Sequence, residues 1–256
     1  NSNFYYYDTS YSISPNIWYH LVYTREGSGT NWTIKLYING VLIDTPSVNT
    51  TNGGGVANTP PQTTSNILIG AQNNDGNAGA TWQGQISDVR IYNTALTAEQ
   101  VKDIYFNQTI LGTEVAHYKF NEKMGTTAFD SSGNGYDGTL TNGPTYYLSN
   151  PYRNYAMNFD GSDDYVPTTI PTSIFMGTNS FTISVWVKPI YTSSSSSGCV
   201  FSTRDFEYSG FSLFVQNQYL TNALSVVIRE NPNINIDTPT NSISTNQWVL
   251  VTYVHT

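Results

Sequence analysis

The chain has 256 residues, of which 38% are hydrophobic and 14% aromatic, so it has enough apolar surface for a packed core. Charged residues make up only 11%, the net charge is −8, and lysine and arginine together number ten, which argues against a nucleic-acid partner. The lone Cys199 excludes an internal disulfide framework, and no apolar run approaches the roughly 20 residues of a membrane helix, so membrane insertion is not expected.

A tryptophan-containing segment near the start of the chain recurs at its end. Trp18 and Tyr23 in the first copy match Trp248 and Tyr253 in the second, a shift of 230 residues. Each copy predicts a β-strand, and a short aromatic strand is predicted ahead of the first copy, over residues 4–7. We call the two copies the tryptophan strands.

The first tryptophan strand is followed by a predicted hairpin. Asn39-Gly40 separates two runs of alternating apolar residues, and both central residues of such a turn need φ > 0, which asparagine and glycine tolerate. The elements predicted next are a long loop over 49–64, a buried strand over 66–70, a polar glycine-rich loop over 72–80 and a strand over 82–92.

One short helix is predicted at the end of this strand series. Thr97 and Gln100 have the spacing of a capping box, in which each side chain bonds the other residue's backbone N–H at the start of a helix. Val101, Ile104 and Tyr105 then fall on one face of the helix. This face is expected to pack on an all-β body.

A second series of strands starts at Val115, after an irregular stretch. Aspartate, asparagine and glycine cluster at 130–138 and again at 160–164, which predicts two tight turns. The strand over 181–187 alternates apolar residues with others. Many short strands, turns between them and almost no helix predict an all-β fold, an antiparallel β-sandwich of the jelly-roll type.

Several segments resemble a known family. The first half resembles the last part of a concanavalin A-like, laminin G-type jelly-roll domain in the segments KLYINGVLID, LIGAQ and WQGQISDVRIYNTALTAEQVKDIY. The second half resembles the first part of the next such domain in HYKFNE, DSSGNGYDGTL, MNFDGSDDYV and FTISVWVKP. Tyr118 stands where many relatives have tryptophan, and the loop over 47–65 is longer than usual; both differences would reshape a rim and leave the fold intact.

The resemblance implies two incomplete domains in tandem. Residues 1–106 would be the C-terminal part of a first laminin G-like jelly roll, 107–114 a linker, and 115–256 the N-terminal part of a second. In such domains the N-terminal strands pair with the C-terminal ones, so neither half is expected to bury its apolar face alone. The alternative is one permuted sandwich made from both halves, although a permutant contains each strand once and the tryptophan strand occurs twice.

The two aspartate-rich turns are candidate calcium sites, and calcium is the one cofactor that the sequence suggests. Calcium is a hard cation that takes carboxylate and carbonyl oxygens as ligands. The alternative is that these residues only shape the turns, which aspartate, asparagine and glycine commonly do. The candidate ligands are Asp130, Asn134 and Asp137 in the first turn, and Asp160, Asp163 and Asp164 in the second.

The glycine-rich loop after the buried strand is the candidate ligand-binding rim. Asn73, Asn74 and Asp75 lie where the resemblance places rim residues, and side-chain amides both donate to and accept from sugar hydroxyls. A plain solvated loop is the alternative. Trp32 and Trp82 flank loops and are candidates for stacking on a sugar, with burial in the core as their alternative. The tryptophans expected in the core are Trp18, Trp186 and Trp248.

The sequence lacks a catalytic constellation. It has no Glu-x-Asp-x-Glu strand of the kind found in sugar-cleaving jelly rolls, and its three histidines have no metal-ligand spacing. We therefore expect a non-catalytic recognition or adhesion module that binds a glycan or a protein through rim loops, in an extracellular, cell-surface or virion-surface location. The alternatives are a structural protein that self-assembles with neighbouring copies, as in a capsid, filament or surface layer, and an accessory domain of a carbohydrate-active enzyme.

Overall fold

Antiparallel strands form almost all of the regular structure in the computed structural model. Two large sheets pack against each other across an apolar core, which confirms the predicted all-β sandwich. The structure describes residues 19–28, 31–44, 47–49, 66–74, 77–106, 114–148, 155–175, 179–190, 198–203, 210–217, 220–229, 234–237 and 249–255.

The predicted hairpin at Asn39-Gly40 is confirmed. The φ angles of the two turn residues are 51° and 76°, and Ile38 pairs with Val41 across the turn. The strands of the first half are β1 (Tyr19–Ser28), β2 (Asn31–Ile38), β3 (Val41–Asp44), β4 (Ser47–Asn49), β5 (Ile67–Ile69), β6 (Gln72–Asn74), β7 (Asn77–Gly79) and β8 (Gln83–Tyr92).

The predicted helix is also confirmed, as α1 (Ala98–Tyr105). Its capping box is complete, because the Gln100 backbone N–H donates to Thr97 Oγ1 over 3.3 Å and the Thr97 backbone N–H donates to Gln100 Oε1 over 2.8 Å. Val101 and Ile104 are buried, as the spacing predicts. The helix therefore ends the first strand series and packs by one face.

The second half contributes the remaining strands and a single turn of 3-10 helix over Thr172–Phe175. Its strands are β9 (Glu114–Tyr118), β10 (Thr127–Ala128), β11 (Gly138–Thr139), β12 (Thr145–Leu148), β13 (Tyr155–Asp160), β14 (Val166–Thr168), β15 (Phe181–Pro189), β16 (Gly198–Ser202), β17 (Gly210–Asn217), β18 (Leu220–Arg229), β19 (Ile234–Asp237) and β20 (Val249–His255).

Strands from both halves of the chain contribute to each large sheet. The ten-stranded sheet has the order β12-β13-β8-β15-β20-β1-β2-β3, with β4 beside β2 and β9 beside β8, and the eight-stranded sheet has the order β10-β11-β14-β5-β16-β17-β18-β19. Strand β8 lies between β13 and β15, and β5 between β14 and β16. The two halves thus pair with each other, as in the joined-sandwich alternative, except that the tryptophan strand is present twice, in β1 and β20. The assignment of the halves to two consecutive domains, with 107–114 as a linker, stays a prediction.

Aromatic side chains join the two sheets in the core. Phe181 of the ten-stranded sheet lies 6.0 Å, centroid to centroid, from Phe211 of the eight-stranded sheet, and Tyr23 lies 5.8 Å from Phe211. Phe175, in the 3-10 turn, packs between Phe181 and Phe201. Large aromatic residues at these facing positions fill the space between the sheets and bury most of the apolar surface per residue.

Helix α1 packs on the outer face of the ten-stranded sheet. Side chains alternate between the faces of a strand, so His20 and Trp186 point away from the core that Tyr23 and Phe181 fill. The Tyr105 ring lies 5.7 Å from the ring of His20 and 6.2 Å from that of Trp186. Trp186 is therefore buried, with 6% exposed, and belongs to the main core cluster, as predicted, where its ring lies beneath the helix. Trp18 and Trp248 lie outside the described residues.

Two sequence predictions need correction in this part of the fold. The polar loop expected over 72–80 contains a hairpin, in which β6 and β7 pair from Gln72 opposite Gly79 to Asn74 opposite Asn77. Trp82, a candidate for stacking on a sugar, is 0% exposed and belongs to the main core cluster, so its ring is closed to a ligand. The polar residues of β6 and β7 hid a local hairpin, whereas the loop residues beside Trp82 in the sequence hid its burial in the core.

Candidate functional site

The second aspartate-rich turn brings three carboxylates together directly after β13. Oxygens of Asp160, Asp163 and Asp164 all lie within 4.8 Å of one another. The turn is held by its own hydrogen bonds, because the backbone N–H of Ser162 donates to Asp160 Oδ1 over 2.7 Å and the backbone N–H of Asp160 donates to Asp164 Oδ2 over 2.9 Å. The local sequence therefore folds so that the like charges converge.

Neighbouring segments fix this turn next to the β6–β7 hairpin. The Thr81 hydroxyl, just after β7, donates to the carbonyl oxygen of Gly161 over 2.6 Å, and Asn142 Nδ2 donates to the carbonyl oxygen of Asp163 over 3.0 Å. We call Asp160, Asp163, Asp164, Thr81 and Asn142 the acidic rim. It places the predicted second metal site beside the hairpin that carries the predicted ligand-binding residues.

Asp164 is the one carboxylate of the acidic rim that is buried. Asp164 is only 3% exposed, and its pKa is raised by burial and by the nearby charges of Asp160 and Asp163, against the hydrogen bond from the Asp160 backbone. Calcium–oxygen distances are about 2.3–2.6 Å, so oxygens separated by up to 4.8 Å can share one ion. The donor set therefore fits calcium, and calcium binding here stays a prediction.

The first aspartate-rich turn has a different hydrogen-bond pattern. Asp130 Oδ1 accepts from the backbone N–H groups of His117 and Ser132, both over 2.9 Å. Asp130 Oδ2 accepts from the Ser132 hydroxyl over 2.8 Å and from the Tyr136 backbone N–H over 3.1 Å. Burial raises the pKa of Asp130, but these four bonds outweigh it and hold the pKa below its usual range. The carboxylate is thus fully engaged by donors from the protein.

The other two predicted ligands of the first turn also hold the backbone. Asp137 Oδ1 accepts from the Asp130 backbone N–H over 2.8 Å, and Asn134 Nδ2 donates to the carbonyl oxygens of Glu114 and Val115 over 3.1 Å and 2.9 Å. These bonds fasten the turn to β9. The hydrogen bonds of Asp137 and Asn134 described here all hold the turn in place. Calcium binding at this turn stays a prediction.

The predicted ligand-binding residues of the hairpin are described only by their backbones. Asn73 and Asn74 lie in β6, opposite Ala78 and Asn77 of β7, while Asp75 and the side chains of both asparagines lie outside the described part of the chain. Trp32 is in β2, opposite Gly27 and Val48. Its side chain is also outside the description. Ligand binding by these four residues stays a prediction.

A comparison with protein families agrees with this fold. A family model described as the concanavalin A-like lectin/glucanases superfamily, of laminin G type, matches residues 1–102 and 160–256, well over half of the chain. The chain belongs to this superfamily. Each matched segment of this concanavalin A-like chain contains one tryptophan strand, in agreement with tandem copies of the domain. No curated protein and no solved structure matches the chain.

The concanavalin A-like sandwich also holds a buried ionic cluster that the sequence analysis missed. Arg90 Nε and its second terminal nitrogen donate to the two oxygens of Asp88 over 3.0 Å and 3.2 Å. His117 Nε2 donates to Asp88 Oδ1 over 2.6 Å, and Tyr92 Oη donates to Glu114 Oε1 over 3.1 Å. Asp88, Arg90 and His117 are all buried. The cluster joins β8 to β9 on one face of the ten-stranded sheet.

Backbone geometry explains how β8 can place these charges together. The first part of β8 pairs with β13, from Gln83 to Ile86, and the last part pairs with β9, from Val89 onward. Asp88 lies at the change of partner and has a φ of 53°, a left-handed conformation that aspartate tolerates better than most residues. In the sequence, the charged residues Asp88 and Arg90 at alternate positions of a largely apolar strand could have indicated this cluster.

The members of the cluster shift each other's pKa values. Burial lowers the pKa of His117, but its hydrogen bond to Asp88 and the nearby carboxylate of Glu114, 3.7 Å from Nδ1, outweigh burial and raise it. Burial raises the pKa of Glu114, but His117 and Arg90 outweigh burial and lower it. The charged forms of the acids and bases therefore stabilise one another. A cluster of this kind on a packed face is structural unless a ligand reaches it.

The part of the chain that the structure describes contains no helix long and apolar enough to span a membrane.

Proposed function

We propose that this laminin G-type chain is a non-catalytic recognition module, displayed outside a cell or on a virus particle, that binds a glycan or a protein through the acidic rim and the β6–β7 hairpin. The observation that carries the proposal is the grouping of three carboxylates beside an amide-rich hairpin. Laminin G-like domains are typically non-catalytic, which supports a binding role.

The residues of the rim and the hairpin have complementary roles in this proposal. Asp160, Asp163 and Asp164 hold a calcium ion, which supplies a positive charge that ligand oxygens can coordinate. Asn73 and Asn74 offer amide donors and acceptors to ligand hydroxyls. Thr81 and Asn142 keep the turn in place through its backbone carbonyls, so they orient the carboxylates without touching the ligand.

Calcium binding at the acidic rim is tested by comparing two variants with the same charge change. Asp163→Asn removes one carboxylate from the rim, whereas Asp103→Asn removes an exposed carboxylate from α1. At about 100 times its Kd, calcium stabilises a folded protein by about 2.7 kcal/mol. We expect calcium to raise the Tm of the wild type and of Asp103→Asn, and to raise that of Asp163→Asn much less.

Ligand binding is then tested on a glycan array and on an array of extracellular proteins, each with calcium and with a chelator. We expect bound ligands that the wild type and Asp103→Asn share and that Asp163→Asn loses. A calcium shift of equal size in both variants would contradict the assignment of calcium to the rim. No binding on either array, with or without calcium, would contradict the recognition function.

A structural role in an assembly is the second candidate, favoured by the edges of the ten-stranded sheet. Strands β12 and β3 end the sheet order, and they expose Tyr147 and Leu148 at one edge and Val41 and Leu42 at the other. Exposed apolar edge strands favour pairing with another chain. Mass measurements over a range of protein concentrations test this role. Leu148→Lys should reduce the fraction of any oligomer more than the control Met124→Lys does, because Met124 is exposed but lies outside the strands. A monomer at every concentration would contradict it.

A further inference from the structure

Three Asn-Gly pairs lie among the described residues, and they begin at Asn39, Asn134 and Asn142. An Asn-Gly pair can lose ammonia without an enzyme, because the glycine nitrogen attacks the side-chain amide carbon of the asparagine and no Cβ obstructs the close approach. The succinimide ring that forms is then opened by water to aspartate or isoaspartate. The two reacting residues are the same in all three pairs, so the fold decides which pair reacts first.

Hydrogen bonds hold the side chains of Asn39 and Asn134 in place. Asn39 is half-buried, and its Oδ1 accepts from the backbone N–H of His20 over 2.6 Å. Asn134 Nδ2 donates to the carbonyl oxygens of Glu114 and Val115 over 3.1 Å and 2.9 Å. These bonds must break before either amide can turn towards the next glycine nitrogen. Both pairs are therefore expected to react slowly in the folded chain.

The side chain of Asn142 is less restrained than the other two. Asn142 is exposed, and the bond that its Nδ2 donates to the carbonyl oxygen of Asp163, over 3.0 Å, is weaker support than Asn134 receives. The space beside Gly143 is open, since a Cβ there would have Asp164 Oδ1, at 3.6 Å, as its nearest neighbour. The succinimide ring can therefore form at this pair without displacing other parts of the fold.

A reaction at Asn142 would change the acidic rim directly. Aspartate at position 142 no longer has the N–H group that donates to the Asp163 carbonyl oxygen. It also adds a fourth carboxylate beside the three that already lie within 4.8 Å of one another. Charges of the same sign that lie this close repel each other. The product is therefore expected to destabilise the rim when no cation is bound.

We propose that Asn142 is a spontaneous deamidation site, through which the acidic rim gains a fourth carboxylate as the protein ages. The bond from Gly143 N to Asn142 Cγ forms while the Cγ–Nδ2 bond breaks, and the Gly143 amide proton leaves with Nδ2 as ammonia. Water then adds across the new ring, with its hydroxyl on a carbonyl carbon and its proton on the glycine nitrogen. Water is the only co-reactant, and the proposal does not depend on what the rim binds.

The test follows the three Asn-Gly pairs in one sample of the wild-type protein. The folded protein is incubated at mildly alkaline pH, and peptide mapping by mass spectrometry gives the fraction of aspartate and isoaspartate at each pair over time. The control is the same protein unfolded in urea, and each folded rate is divided by the unfolded rate of the same pair. We expect this ratio to be several-fold higher at Asn142 than at Asn39 and Asn134. A ratio at Asn142 no higher than at the other two would overturn the proposal.

Two variants with the same charge change test the effect on the rim. Asn142→Asp imitates the product, and Asn121→Asp is the control at an exposed asparagine outside the rim. With a chelator at neutral pH, we expect Asn142→Asp to have the lower Tm, and added salt to reduce the difference because salt screens the repulsion. Equal Tm values, or a difference that salt does not change, would overturn the charge effect. If Asn142→Asp does not fold, aged wild-type protein separated by anion exchange gives the same comparison.

Discussion

The two aspartate-rich turns look alike in sequence and differ in their electrostatics. The Asp130 carboxylate is surrounded by four hydrogen-bond donors, three of them backbone N–H groups, and its pKa is lowered. The Asp164 carboxylate accepts one backbone bond and faces two other carboxylates, and its pKa is raised. Aspartate and glycine content thus predicts a turn but not whether its charge is already satisfied. The unsatisfied turn is the better candidate for a cation.

The pH dependence of stability has opposite signs at the two turns. The folded pKa of Asp130 is depressed, so its stabilising effect is present above the unfolded value, near 3.9, and is lost as the pH falls through the folded pKa. The folded pKa of Asp164 is raised, so the folded state binds its proton more readily and loses stability as the pH rises from the unfolded value through the folded one. A lower pH therefore destabilises the first turn and reduces the charge repulsion in the second.

The largest effect is expected when the satisfied carboxylate is removed. Asp130→Ala deletes the acceptor of four hydrogen bonds, which should lower the free energy of unfolding by about 3 kcal/mol, since bonds to a charged group contribute more than neutral ones. Asp137→Ala, the control in the same turn, deletes the acceptor of the single bond from the Asp130 backbone and should cost about 1 kcal/mol. Urea unfolding measures both. Equal losses would show that the four bonds do not anchor the turn.

A pair of glycine substitutions compares how tightly the two turns are enclosed. Gly161 has a φ of 87°, and a Cβ there would lie 2.7 Å from Gln83 Cβ, whereas Gly133 has a φ of 93° with nothing within 4 Å. Both alanine variants pay about 1 kcal/mol for the left-handed backbone. Gly161→Ala should lose about 1–2 kcal/mol more, because the added methyl group must displace the neighbouring strand. Thermal unfolding of the two variants measures the difference, and equal Tm values would mean that the acidic rim is less enclosed than its contacts indicate.

Features set by neighbouring residues could be predicted from the sequence. The Asn39-Gly40 turn, the Thr97 capping box and the apolar alternation of β15 each depend on a few adjacent positions, and all three are found in the structure. The candidate turns at 130–138 and 160–164 were located for the same reason. Turn-forming residues act on their immediate neighbours in the chain, so a short stretch of sequence is enough to recognise a turn.

Features set by distant pairing could not be predicted from the sequence. Asp88 and His117 are in contact because β8 pairs with β13 before Asp88 and with β9 after it. Both partner strands come from residues far along the chain. Trp82 flanks a loop in the sequence, yet it is buried in the core, and its backbone N–H donates to the carbonyl oxygen of Gly70 over 2.7 Å. The convergence of Asp160, Asp163 and Asp164 was predicted as a turn, but its contact with Thr81 depends on the second half folding against the first.

The smallest effect is expected from Asp163→Asn in the absence of calcium, and its sign separates the two turns most clearly. Removing this charge takes away one cause of the raised pKa of Asp164. Asp163 is exposed, so water screens the repulsion and the gain is small, an increase in Tm of about 1 °C at neutral pH. The same variant should lose most of the increase in Tm that calcium causes. Its Tm should therefore be higher than that of the wild type without calcium and lower than that of the wild type with calcium. A decrease in Tm without calcium would mean that Asp163 acts as Asp130 does, as a satisfied acceptor, and the contrast between the turns would not hold.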